Sequence, residues 1–367
     1  MKKRIFAALL AGAMVLGLAA CGGGSDAEET TAAAEETTAA ADTEADAEAE
    51  TEADAPPADA ADAELAESNV NDDLGEVIPN EPYKFGLTIG WRDQFLSQLE
   101  SAVIENAELM GCEITSVDAN NNANDQLGHV QNFVAQGVDA IICVLAKTEN
   151  AQQVIEAAGE TPVVFVNIVP EMDLTGTNAT KVGSDELQAG QFQGEFIADY
   201  FKSKGQENVN YVLLQGTLGL NHTTARTNAA HDTLAASGLN VECVCEDTAE
   251  YDRAKAQNKM QTYLGTNPDF DCVIANNDEM ALGAIEAMKS VGIDPSEKPV
   301  VGIDATQAAL QAMQAGDLAM TVFQDAKGQG AGGIRAAVLM ANGEEVPPQV
   351  YIPFIPVTPE NMADYIE

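Results

Sequence analysis

Three polar side chains close three apolar runs in the last third of the chain: Asn277 in CVIANND, Asp304 in PVVGIDAT and Gln324 in LAMTVFQDA. An amide both donates and accepts hydrogen bonds and a carboxylate accepts with two oxygens, so each planar group can grip two neighbouring hydroxyls. The set therefore suits a polyhydroxylated ligand. Each run reads as a buried parallel strand, and each is followed by a helical pattern such as EMALGAIEAMKSVG or TQAALQAMQAG. That places the three side chains at carboxyl ends of strands, the edge of an open α/β sheet where ligands bind.

The rest of the chain supplies the frame. Strand patterns over 83–89, 113–117, 139–145 and 162–167 alternate with helical patterns over 93–110, 124–136 and 149–158. After an irregular stretch at 171–180 the alternation restarts with a helix at 185–201, a strand at 209–215, a helix at 223–236, a strand at 239–246 and a helix at 252–264. Two βα series joined by an irregular crossing predict two α/β lobes with a cleft between them.

The N-terminus sets the compartment. Met1, Lys2, Lys3 and Arg4 form a basic start, 5–18 an apolar stretch too short for a membrane span, and Leu18-Ala19-Ala20-Cys21 a small-residue cleavage site. A cysteine there resembles the lipobox of bacterial lipoproteins, which implies a signal peptide over 1–20, lipid on Cys21 and an extracytoplasmic protein anchored to the cell membrane. Residues 21–80 follow as an Ala-, Thr- and acid-rich segment without Lys or Arg, expected to stay disordered as a tether because it has too little apolar surface to offset ordering. The net charge of −42 comes partly from this tail, and a chain this acidic has no basic face for nucleic acid.

Beyond Cys21 there are five cysteines, Cys112, Cys143, Cys243, Cys245 and Cys272, mostly in strand-like runs, and they read as free buried thiols. At a spacing of two, Cys243 and Cys245 are expected on one face of a strand, a poor geometry for a disulfide. The three histidines, His129, His222 and His231, make no zinc motif with them, so neither a metal nor a cofactor is expected. GQGAGG at 328–333 matches a dinucleotide-binding pattern, but no βαβ unit follows it and close helix packing explains its glycines better. DANNNAND starts like a calcium loop, yet Ala123 stands where glycine is required and His129 where glutamate should close it. With no catalytic arrangement defensible from spacing, the chain reads as a non-enzyme.

The segments FGLTIGWRDQFLSQLESAV, VDANNNANDQLGHVQNFVAQGVDAII, PVVFVN, YVLLQGTLGLNHTTART, DTAEYDRAKAQNKMQTYL, CVIANNDEMALGAIEAMK and VVGIDA…AGDLAMTVFQDA occur in order. Together they resemble the type I periplasmic sugar-binding proteins, the galactose/glucose- and ribose-binding family serving ABC importers, from about 83 to 342. The resemblance implies two Rossmann-like lobes with parallel sheets joined by a hinge. The first lobe would hold 81–168 and about 326–346, the second about 169–325 and 347–367. It also assigns roles. Asp93 would hold hydroxyls and Phe95 stack on the apolar face of a sugar; Arg226 would donate to its oxygens and Tyr251 form the second stacking surface. Asn277, Asp304 and Gln324 match the family's polar strand ends, the last two near the hinge, and Asn167 stands where ribose binders have an acid. Trp91, Lys147 and His222 are further candidates.

Departures from the galactose/glucose type lie at Val144, where that type has an asparagine, and at Leu220, Asn221 and His222, where it has a histidine and an aspartate. KSKGQENVN lacks its calcium loop. The implied function is a monomeric lipoprotein that closes around a monosaccharide and delivers it to ABC permease subunits. The alternatives are a receptor component docking on a chemoreceptor or sensor kinase, and a binder of some other polar solute.

Overall fold

The computed structural model describes residues 74–366, apart from 76, 267 and 268. The expected signal peptide, the lipidated Cys21 and most of the tether lie outside the described residues.

The first lobe begins with β1 (Lys84–Ile89), α1 (Gln94–Leu109), β2 (Glu113–Asp118), α2 (Ala123–Gln136), β3 (Ala140–Cys143), α3 (Ala151–Ala158), β4 (Val163–Val166) and β5 (Ala179–Gly183). AIIC of β3 and VVFV of β4 are buried at every position, as strands covered by helices on both faces must be. The second lobe runs through α4 (Glu186–Ser203), β6 (Asn208–Gln215), α5 (Asn221–Ala236), β7 (Asn240–Thr248), α6 (Arg253–Leu264), β8 (Cys272–Ala275), α7 (Asp278–Ser290), β9 (Val300–Val301), α8 (Gln307–Gln314) and β10 (Thr321–Phe323). The chain then returns to the first lobe with α9 (Ala326–Asn342) and β11 (Gln349–Tyr351), and β12 (Ile355–Val357) rejoins the second.

The first sheet is parallel throughout, in the order β11-β5-β4-β3-β1-β2. The second is parallel in the order β7-β6-β8-β9, and isolated bridges Val301↔Met320 and Asp304↔Phe323 extend it to β10, against which β12 lies antiparallel. This is the two-lobed α/β architecture expected, with shifted boundaries. Residues 169–183 and 347–351 belong to the first lobe, because β5 pairs with β4 and β11 pairs with β5. ATKVG has weak strand character by itself and becomes a strand by lying between two partners. The chain thus crosses between lobes at 184–185, 324–325 and 352–354.

The tether ends earlier than 80. Leu74 is buried in the core, the Asn342 side chain donates to the Ile78 carbonyl at 3.0 Å and accepts from Asn80 N at 3.1 Å, and Arg335 donates to the Gly75 carbonyl. Residues 74, 75 and 77–80 therefore dock on the first lobe.

The glycine run of α9 serves packing. A Cβ at Gly330 would come within 2.7 Å of the Ala102 Cβ on α1, and one at Gly333 within 2.9 Å of Val166 on β4. DANNNAND holds a turn instead: Asn120 and Asn121 have φ of 49° and 58°, and Asn122 caps α2. The cysteines depart from expectation in one respect. All five described cysteines are free, and Cys112, Cys143 and Cys272 are buried, but Cys243 and Cys245 are only half-buried. Tyr211 pairs with Cys243 while the next residue, Val212, pairs with Cys245, so Val244 is bulged out of β7. The bulge turns the two thiols to opposite faces, where equal spacing would have put them on one. Among the described residues no helix is long and apolar enough to cross a membrane.

Candidate functional site

A cavity of about 320 Å³, counted to its mouth, lies between the lobes. Trp91, Asp93, Phe95, Leu96, Asn167 and Ile168 line it from the first lobe; His222, Arg226, Tyr251, Asn277, Asp304 and Gln324 line it from the second. Every ligand-binding candidate from the sequence reaches it except Lys147, which precedes a short 3₁₀ turn outside the lining.

Several of these side chains are placed by helix starts. Asp93 caps α1, its Oδ1 accepting from Leu96 N at 2.8 Å and its Oδ2 from the Trp91 indole at 3.0 Å. Asn277 caps α7 through Oδ1 to Met280 N at 3.0 Å, which leaves its amide Nδ2 without a partner among the described residues. A cap satisfies an orphan N–H and fixes the side chain beside the helix terminus, so the local rule that starts each helix also aims a polar group at the cleft. Backbone strain gathers here as well. Asn167, Tyr251 and Asp304 have φ of 62°, 61° and 127°, conformations that L-residues keep only where the surroundings impose them.

The second-lobe wall centres on Arg226, 3% exposed. Its Nε donates to Glu186 Oε2 at 2.6 Å, Nη1 to the Asn276 carbonyl at 2.8 Å and Nη2 to Gln324 Oε1 at 3.1 Å, which leaves two of its five N–H groups for another acceptor. Burial alone would lower the guanidinium's pKa, but the Glu186 carboxylate beside it outweighs that and the net shift is upward, so Arg226 is a permanent cation. Burial pushes Tyr251 up to about 12, so it stays a neutral phenol; its hydroxyl lies 2.9 Å from Thr223 Oγ1, which itself donates to the Thr217 carbonyl. Its ring rests on Gly216, where an added Cβ would stand 2.0 Å from the ring.

Several polar atoms here are buried without a hydrogen bond among the described residues: Gln324 Nε2, both ring nitrogens of His222 and Glu186 Oε1. His222 Nε2 lies 3.2 Å from Glu186 Oε1. Burial holds the imidazole below its usual pKa, so it is neutral at pH 7. The Asp304 carboxylate has no partner among the described residues either. Burial, then the neighbouring Asp278, pushes its pKa well above the ordinary range, against the pull of Arg226. Asp278 lies behind it, fully buried, accepting from Thr321 Oγ1 at 2.7 Å and Thr306 N at 2.8 Å, with a pKa that burial raises to about 7. Such unmet hydrogen-bonding capacity in a buried wall is uncommon and marks where a polar ligand would be received.

The first-lobe wall is different. Phe95, Leu96, Ile168 and Trp91 are apolar or aromatic, and its two polar members are already engaged. Asn167 Nδ2 donates to Gln329 Oε1 at 2.9 Å, and Gln329 in turn donates to Ser184 Oγ at 3.2 Å, tying the site to the crossing at 184–185. Across the mouth, Asn221 Nδ2 donates to the Val169 carbonyl at 3.0 Å and Thr148 Oγ1 to the Gly219 carbonyl at 3.4 Å. Sequence reasoning missed Leu96, Ile168, Glu186 and Asp278. Glu186 reads only as an acid in a helix's first turn, and Asp278 as the neighbour of a cap; nothing local shows that each meets partners dozens of residues away.

The geometry has counterparts in known proteins. A Rhizobium meliloti protein named for rhizopine binding is 37% identical over 74% of this chain and 89% of its own length. A D-galactose/methyl-galactoside binding periplasmic protein of Haemophilus influenzae is 30% identical over 77% of this chain and 92% of its own. Among solved structures, an ABC transporter solute binding protein from Bacillus halodurans with bound myo-inositol superposes with a TM-score of 0.72 at 35% identity, covering 79% of this chain and 98% of that one. These relatives are solute-binding proteins, not enzymes. The family described as periplasmic binding protein domain matches residues 86–345, well over half of the chain. A cleft walled on one side by apolar surface and on the other by unmet polar groups, on two lobes joined by three crossings, is thus the site of a chain that belongs to the periplasmic binding protein domain family.

Proposed function

We propose that this protein captures one small polyhydroxylated ring, a monosaccharide or a cyclitol, and hands it to an ABC importer as a monomer held at the membrane by lipid on Cys21. The observation that carries the reading is the pairing of the two walls. Asp304, Asn277, Gln324, the two spare N–H groups of Arg226 and His222 offer acceptors and donors to a ring's hydroxyls, while Trp91, Phe95 and Tyr251 offer faces to its C–H groups. Bound myo-inositol in the 35%-identical Bacillus halodurans protein supports a ring of this kind.

The mechanism follows from the division of the site. Ligand contacts on both lobes favour the arrangement in which the lobes lie together, so binding and hinge closure are one equilibrium. The closed surface then signals occupancy to the permease.

Thermal denaturation with myo-inositol, galactose, glucose, ribose, a linear polyol, amino acids and nucleosides tests this. A ring present at about a thousand times its dissociation constant adds roughly 4 kcal/mol of stability, a rise of several degrees. A shift with a ring but not the linear polyol supports the reading and identifies the cargo. A shift only with amino acids or nucleosides overturns the ligand class.

A further inference from the structure

The bulge at Val244 has a second effect. Cys243 and Glu246 are three apart, a spacing that puts side chains on opposite faces of a regular strand, and the extra residue returns them to one face. His231 of α5 lies over that face, with Nε2 2.8 Å from Glu246 Oε2, and Cys243 Sγ lies 4.0 Å from the same oxygen. One ligand atom from each of the three residues falls within 4.8 Å of the others.

We propose that His231 Nε2, Cys243 Sγ and Glu246 Oε2 form a binding site for a borderline divalent cation of the zinc class, separate from the cleft. Nitrogen, sulfur and oxygen donors converging on one point suit tetrahedral zinc with an exchangeable water as fourth ligand. The partners of His231 and Glu246 are arranged as a metal site requires. The His231 Nδ1 meets the Tyr211 hydroxyl, which directs Nε2 to the cluster, and Gln215 Nε2 donates to Glu246 Oε1 at 2.7 Å, which directs Oε2 the same way. Such outer contacts fix tautomer and orientation in known metal sites. The site is open to solution, the His231 and Glu246 side chains being 27% and 41% exposed. On binding, the Cys243 thiol gives its proton to solvent as the sulfur–metal bond forms. Its function is then to join α5, whose first turns carry His222 and Arg226, to β7.

Titration of the full chain with Co²⁺, a coloured stand-in for Zn²⁺, tests the site. One equivalent producing a thiolate-to-cobalt absorption band, displaced by Zn²⁺, is the expected result, and the carboxylates of the acidic tail cannot generate that band. Cys243→Ser and His231→Ala should abolish it, Cys245→Ser should retain it, and Tyr211→Phe should weaken binding about 10- to 100-fold. All four should still show the cleft ligand's thermal shift if folded, and Cys243→Ser and Cys245→Ser check each other for mere misfolding. A wild-type chain without the band, a band that survives in Cys243→Ser, or one lost in Cys245→Ser would overturn the proposal and leave a surface His–Glu ion pair.

Discussion

The two walls of the cleft differ in how much of their hydrogen bonding is complete. On the first lobe, Asp93 is engaged by its own helix and by Trp91, and Asn167 by Gln329. On the second, Asp304, the amide nitrogens of Asn277 and Gln324, and His222 keep capacity that no described residue meets. A finished wall is stable without ligand and contributes shape and closure. An unfinished one sacrifices stability for affinity, the common bargain of binding sites. Truncating an unpaired polar group of the second wall and a paired one of the first should therefore act oppositely on stability.

The largest effect should come from Arg226→Ala, which leaves the mostly buried Glu186 carboxylate, 11% exposed, without its partner and strips the second wall of its cation. A loss of about 3–5 kcal/mol in urea denaturation is expected, together with loss of binding. Stability near wild type would show that Glu186 is relieved by water and that this wall is less dry than it looks.

Asp304→Ala should separate affinity from stability. Removing charge-assisted hydrogen bonds worth about 1.5–3 kcal/mol should weaken ligand binding roughly tenfold to a hundredfold by calorimetry. The unliganded protein should be no less stable, because a buried carboxyl without partners has gone. Asp93→Ala should show the reverse emphasis in stability: the lost cap costs about 1 kcal/mol without ligand. If both variants destabilise equally, the contrast between the walls fails.

A further effect is a pH dependence. Asp278 has a folded pKa of about 7 against an ordinary 3.8, so the native state holds its proton more tightly than the unfolded chain does. Stability from this source is complete below the ordinary value and is lost as the pH rises to about 7. The urea midpoint should thus fall between pH 5 and pH 8 in the unliganded wild type, and less in Asp278→Asn. Equal slopes in the two proteins would remove Asp278 as the cause.

Much of the second wall was legible because it is built at strand ends. Asn277, Asp304 and Gln324 end apolar runs, and a parallel strand has a defined carboxyl edge. Asp93 and Phe95 were found through WRDQF and its resemblance to a known family, and the cap at Asp93 explains why that loop holds its shape. β5 and β11 were not legible, since short strands of mixed character exist by virtue of their neighbours.

The sequence by itself determined the α/β alternation, the cleft, and the residues that stand where each strand gives way to a helix. These depend on periodicity and capping, which act over a few residues. Only the tertiary structure decided that Glu186 neutralises Arg226, that Asp278 lies behind Asp304, and that a bulge at Val244 turns Cys243 toward His231 and Cys245 away. Each of those depends on strand register and on pairing between distant segments. A one-residue change in register reverses the face on which a side chain stands, and no local pattern records it.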